Sequence, residues 1–116
     1  MSEEIDCDTL ITNQYEIFDL MKKQFANFKK DPQERKTEIY FKKRLSTIEK
    51  YYVTFHSNHK LLSPHVEKKM NYVTDKIFET FEETYFDISI AIQEAFEKKF
   101  PPVNLNNSAS SSITVS

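Results

Sequence analysis

Glycine does not occur once in the 116 residues, where average usage would place about eight. Glycine is the default residue for positive φ, so tight hairpins, bulges and phosphate-cradling loops lose their usual building block. That absence argues against a β-rich fold and against a glycine-loop nucleotide site. Cysteine is nearly missing as well: Cys7 stands alone and cannot form an internal disulfide. Its acidic setting (MSEEIDCDTL) supplies none of the positive charge that activates a thiolate. The start lacks the basic and apolar regions of a secretory leader, and no apolar run approaches the roughly 18 residues that span a bilayer. Charge of one sign is lacking too. With 16 Lys and Arg against 18 Asp and Glu, the net charge is −2, and no global field draws the protein to DNA or membrane. The expectation is an intracellular protein, cytoplasmic rather than nuclear, with no membrane contact.

What the chain does contain is bulk and helical punctuation. Aromatic residues, all Phe and Tyr, make up 14% of it, enough for a core of large side chains. In "KKDPQERK", Asp31 reads as an N-cap, Pro32 as the first helical residue and Glu34 as the third. "LSPHVE" repeats the cap-then-proline pattern at Ser63 and Pro64, and Pro101–Pro102 stops whatever precedes it. Three helices follow, at about 8–30, 32–60 and 64–99.

The spacing of apolar residues agrees. Phe41, Leu45, Ile48, Tyr52, Phe55, His59 and Leu62 step by alternating fours and threes, a 3.5-residue period suited to packing along another helix. The third segment carries Val66, Met70, Val73, Ile77, Phe81, Tyr85, Ile88, Ile92 and Phe96. The first has a wide face: Ile11, Tyr15, Phe18 and Phe25, flanked by Leu10, Ile17, Met21 and Phe28. None alternates with the period of two that a half-buried strand needs. The predicted fold is all-α: a long antiparallel helical hairpin with a third, N-terminal helix, as an up-down-up three-helix bundle or antiparallel coiled coil. Residues 1–7 read as a flexible N-terminus, 8–100 as the domain, and 101–116 as a disordered Ser/Asn-rich tail or linker. The uncharged stretch "VNLNNSASSSITVS" cannot bury enough apolar area to offset ordering entropy. A linker at the very end suggests that more protein follows or once followed.

Charge is distributed in blocks. Residues 1–31 carry four Lys and Arg against seven Asp and Glu, residues 32–62 seven against three, and residues 63–100 five against eight. A basic helix between two acidic ones suits a bundle in which both flank it, with rim pairs that select register more than they stabilise.

Candidate sites are few. His56, His59 and His65 fall within ten positions, but no fourth ligand accompanies them and His59 lies on the apolar stripe. They read as a helix–turn–helix corner, with no metal site. No nucleophile–base pair, paired-acid motif or Glu-x-x-His motif is recognisable, so no catalytic residue and no cofactor is expected. Arg35, Lys36, Lys42, Lys43 and Arg44 approach a basic cluster. Nucleic-acid binding through them is the less favoured reading, because acidic neighbouring helices dilute it. Ile77, Phe78, Phe86, Ile90 and Phe100 widen the third helix's apolar sector beyond what one partner helix covers, which points to a protein partner or a second copy, most simply in a dimer.

The run "YFKKRLSTIEKYYVTFHSNHKLLSPHVEKKMNYVTDKIFETFEETYFDISIAI" resembles the N-terminal Gag region of insect BEL/Pao-type retrotransposons. In that family a basic residue and Leu (here Arg44–Leu45) open a helix that ends near a histidine-containing turn. A second helix then carries a Tyr and acidic-aromatic repeats (here Tyr72, Phe78, Phe81, Glu83 and Tyr85). A Ser-rich linker follows, similar to 106–116 here. The resemblance covers roughly residues 35–100 and is a pattern of helix faces. It implies a non-enzymatic, particle-building or protein-interaction role, in a transposon or in a copy retained by a host. The alternative is a three-helix adaptor that binds a partner protein's helix.

Overall fold

Asp6 opens the first helix. Its carboxylate accepts the Thr9 N–H at 3.2 Å and the Thr9 hydroxyl at 2.7 Å, serving N–H groups that have no partner within the helix. Hydrogen bonding at Thr9 also holds the Asp6 carboxyl below its ordinary pKa. The computed structural model describes residues 6–65 and 71–102. They form α1 (Cys7–Lys30), a 3₁₀ turn (Gln33–Arg35), α2 (Glu38–Leu62), a single-turn α3 (Asn71–Thr74) and α4 (Ile77–Lys99). Among the described residues there is no strand, and the fold is all-α as the periodicity predicts.

Side-chain contacts give the helix directions. Phe28 meets Phe41 near one end of the bundle, and Gln14 reaches the Phe55 carbonyl near the other, so α1 and α2 run antiparallel. Phe41 packs on Phe96, Phe55 on Phe81 and His59 on Phe78, so α2 and α4 are antiparallel too. This is an up-down-up bundle. Its core is Phe18, Met21 and Phe28 from α1, Phe41, Ile48, Phe55 and Leu62 from α2, Tyr72 from α3, and Ile77, Phe81, Ile88 and Ile92 from α4. The α2 contribution recurs every seventh residue, while Leu45, Tyr52 and His59 of the same repeat are half-buried. Phe55 and Phe81 stack with centroids 3.8 Å apart, and Phe18 meets the edge of that stack at 5.5 Å. Such aromatic pairs add about 0.5–1.5 kcal/mol each beyond their buried area.

Several boundaries differ from the expectations. Cys7 is helical rather than part of a flexible N-terminus. The second helix starts at Glu38, not at residue 32, and its cap is Thr37, whose hydroxyl accepts the Tyr40 N–H at 3.2 Å. Asp31 ends α1 instead, because its carboxylate is claimed from across the interface by Tyr40 and Arg44. A charge-assisted pair outweighs a local cap bond. The third helix is not continuous over 64–99. Ser63 to His65 close α2 in a turn, with the Ser63 N–H on the His59 carbonyl and the His65 N–H on the Leu62 carbonyl. Residues 66–70, with Val66 and Met70, lie outside the described residues, as do 1–5 and 103–116, which hold most of the predicted N-terminus and tail. Between α3 and α4, Asp75 and Lys76 interrupt the helix, and Lys76 takes φ 54° and ψ 46°. Asn71–Tyr72–Val73–Thr74–Asp75 draws wholly on weaker helix formers, so a break here costs little. At the far end α4 stops at Lys99, before Phe100 and the two prolines, as predicted.

Candidate functional site

The histidines do not share one site. His56 and His59 belong to the body of α2, and only His65 lies in the turn, exposed. His59 joins a chain of hydrogen bonds around Gln14, a side chain with no exposed surface. The Asn58 amide donates to Gln14 Oε1 at 3.1 Å, and Gln14 Nε2 donates to the Phe55 carbonyl at 2.9 Å and the Tyr72 hydroxyl at 3.2 Å. The Tyr72 hydroxyl lies 2.8 Å from His59 Nδ1. The direction of the chain closes when Tyr72 donates to a neutral His59. Desolvation lowers the His59 pKa, helped by the nearby His56, against the raising influence of Glu79 and Glu82. Burial raises the Tyr72 pKa, so both ends favour the uncharged forms.

His56 faces outward along the α2–α4 seam. Its Nε2 lies 2.9 Å from Glu82 Oε2, which also accepts the Tyr52 hydroxyl at 3.1 Å. Desolvation and the Glu82 carboxylate raise the Tyr52 pKa. Among the described residues no three His, Cys, Asp or Glu side chains are grouped to hold a metal ion.

The apolar surplus of the third predicted helix divides into three. Ile77 is core. Phe78 is half-buried, stacked on His59 at 4.0 Å, and Phe100 is half-buried against Phe96 at 5.9 Å and Phe41 at 6.1 Å. Phe86 and Ile90 remain exposed, at 50% and 55%. They lie one helical turn apart on the same face of α4. Phe86 borders the stacked pair Tyr52–Tyr85, 6.0 Å from the first ring and 5.4 Å from the second. A short aromatic and aliphatic strip thus runs along the outside of the α2–α4 seam. Glu83, Asp87 and Glu94, all exposed, give it acidic neighbours.

The five candidate cations do not make one face. Lys36 is turned inward, 6% exposed, with its amine 4.2 Å over the Phe28 ring. Arg44 is half-buried in a knot between α1 and α2: it donates to Gln24 Oε1 at 2.7 Å, to Asp31 Oδ2 at 3.0 Å and to the Tyr40 hydroxyl at 3.1 Å. Tyr40 itself donates to Asp31 at 2.6 Å. That bond, with Arg35 and Arg44 nearby, holds the Asp31 carboxyl below its ordinary pKa. Arg35 pairs loosely with Asp31 at 3.6 Å and Lys42 with Glu38 at 3.1 Å, which leaves Lys43 exposed without an ion pair among the described residues.

Sequence reading missed Gln14 and the Asp31–Arg44 knot, and named Tyr72 only within the family pattern, not as a buried hydrogen-bond partner. Gln14 was findable: Ile11, Gln14, Phe18, Met21, Phe25 and Phe28 step by three, four, three, four and three, and only its polarity hid it. The knot depends on side chains 13 residues apart in sequence meeting across two helices, which spacing within one helix cannot signal.

Fold and surface together define an all-α, up-down-up helical bundle. Among the described residues Leu20, Ile39, Val53 and Leu61 are exposed as well, but Phe86 and Ile90 lie beside the stacked tyrosines. The chain matches no family model, no curated protein and no solved structure.

Proposed function

We propose that the chain is a non-enzymatic helical interaction module that self-associates through the Phe86–Ile90 strip of α4. The single observation that carries this is the exposure of two large apolar side chains, one turn apart, beside a ready-stacked tyrosine pair. The Gag-like pattern of helix faces supports the same role, that of an intracellular particle-building or assembly segment. Magnitudes limit the strength of the contact. Each such side chain contributes about 1.5–3 kcal/mol when fully buried, and association costs about 4–15 kcal/mol. A symmetric dimer doubles the gain, so its affinity falls in the micromolar range or weaker.

The test is the double variant Phe86→Glu with Ile90→Glu. It should stay helical by circular dichroism and show a single-chain mass where the parent shows a larger one. Loss of helicity would instead assign those residues to the intramolecular core, and an unchanged assembly would place the contact elsewhere.

A second reading, an adaptor for a partner protein's helix, is favoured by the acidic neighbours of the strip. Glu83, Asp87 and Glu94 would repel their own copies but suit a basic amphipathic helix. The parent chain would then stay monomeric at every concentration.

A further inference from the structure

Where the α1–α2 link passes the last turns of α4, the helices leave a half-enclosed groove of about 480 Å³. Phe28, Phe41 and Ala95 form its apolar lining, and Lys36, Lys98, Lys99 and Gln33 supply its polar groups. None of the three lysines has an ion-pair partner among the described residues.

Lys98 and Lys99 have an ordinary reason to be there, since the last turn of a helix favours cations. Lys99 also donates to the Gln33 carbonyl and lies over the Phe100 ring at 5.8 Å. Lys36 has no such reason. It is 6% exposed, and the contact recorded for its amine is the face of Phe28. A cation withdrawn from water without an anion is costly. Backbone geometry fixes its place: the Arg35 N–H donates to the Pro32 carbonyl and the Lys36 N–H to the Gln33 carbonyl, both at 3.0 Å. No acid pairs with Lys36 among the described residues: Glu34, two positions earlier, is exposed and makes no ion pair, and Glu38 is taken by Lys42. Asp31 is held by Tyr40, Arg44 and Arg35, and Glu97 accepts from Gln93.

We infer that this groove binds an amphipathic anion, with a carboxylate or phosphate head against Lys36, Lys98 and Lys99 and an apolar body on Phe28, Phe41 and Ala95. The volume is that of a small-molecule site. Three cations call for an anionic head, and the aromatic lining calls for more than a bare ion.

Calorimetric titration of the full chain tests this with three probes: decanoate below its micelle concentration, decanol and inorganic phosphate. Decanoate should bind at one site per chain, roughly tenfold or more tighter than either of the others. Lys36→Met keeps the long apolar stem, removes the charge, and should weaken decanoate by about tenfold with helicity unchanged. Lys98→Gln with Lys99→Gln should weaken it as well, independently of the 3₁₀ turn. In amide correlation spectra of the parent chain, decanoate should move Lys36 and Ala95 first. Decanol binding as tightly would remove the anionic head, and phosphate binding as tightly would remove the apolar body. Undiminished affinity in both lysine variants, or no binding of decanoate at all, would overturn the site.

Discussion

Gln14 joins three elements through one side chain: its own α1, the Phe55 carbonyl and Asn58 of α2, and Tyr72 of α3. Each such bond adds only about 1 kcal/mol net, but a buried partner left without one costs about 1–3 kcal/mol. Gln14→Leu, close in volume, removes one of the two bonds at the Tyr72 hydroxyl, which keeps His59, and leaves the half-buried Asn58 amide without Gln14. It should therefore lower unfolding stability by about 1 kcal/mol or more in urea titrations. A loss near zero would mean that water serves those groups equally well. His59, at the end of the same chain, sets a pH dependence. Its folded-state pKa lies below the ordinary imidazole value, so the unfolded chain binds the proton more readily. The stability it contributes is full above the ordinary value and is lost as pH falls through the folded one. Between pH 7 and 5 the parent should lose stability more steeply than His59→Gln; equal slopes in paired denaturation curves would contradict this.

At the scale of elements, Lys76 is where the chain departs most from local preference. It is the one non-glycine residue at positive φ among the described residues, in a sequence with no glycine to offer. A left-handed residue with a Cβ costs about 1–2 kcal/mol, part of which glycine would return as unfolded-state entropy. Lys76→Gly should raise stability by about 0.5–1 kcal/mol, read as a shift of the urea midpoint; destabilisation would mean that the Lys76 side chain makes a contact worth more than the strain. The same residue shows how far elements were legible. The seven-residue recurrence of Phe41, Ile48, Phe55 and Leu62 was readable because packing repeats with the helix. The α3–α4 break was not, because neither glycine nor proline marks it and only the sum of weak formers over 71–75 permits it. The start of α2 was misplaced because Asp31 and Pro32 carry a helix-opening signal that a tertiary contact redirects.

For the whole molecule, the up-down-up order followed from short links and three apolar faces. The charge blocks were less informative. Among the described residues, Arg44–Asp31 and His56–Glu82 join different helices or their ends, Arg35–Asp31 ties the 3₁₀ turn to the end of α1, and Asp19–Lys22 and Glu38–Lys42 lie within one helix. Of the candidate contact residues, Phe86 and Ile90 remained outside because α1 lies on the other side of α4, where Phe18 meets Phe81. Composition alone could not separate them from Ile77, Phe78 and Phe100, since all five widen the same helix. The acidic neighbours of the strip add that salt should strengthen a symmetric contact by screening like charges. The central claim, self-association through that strip, is tested most directly by light scattering behind size exclusion on the parent chain, from micromolar to near-millimolar concentration. The predicted result is a mass that rises with concentration toward two chains and rises further in added salt. A single-chain mass across the whole range would contradict it.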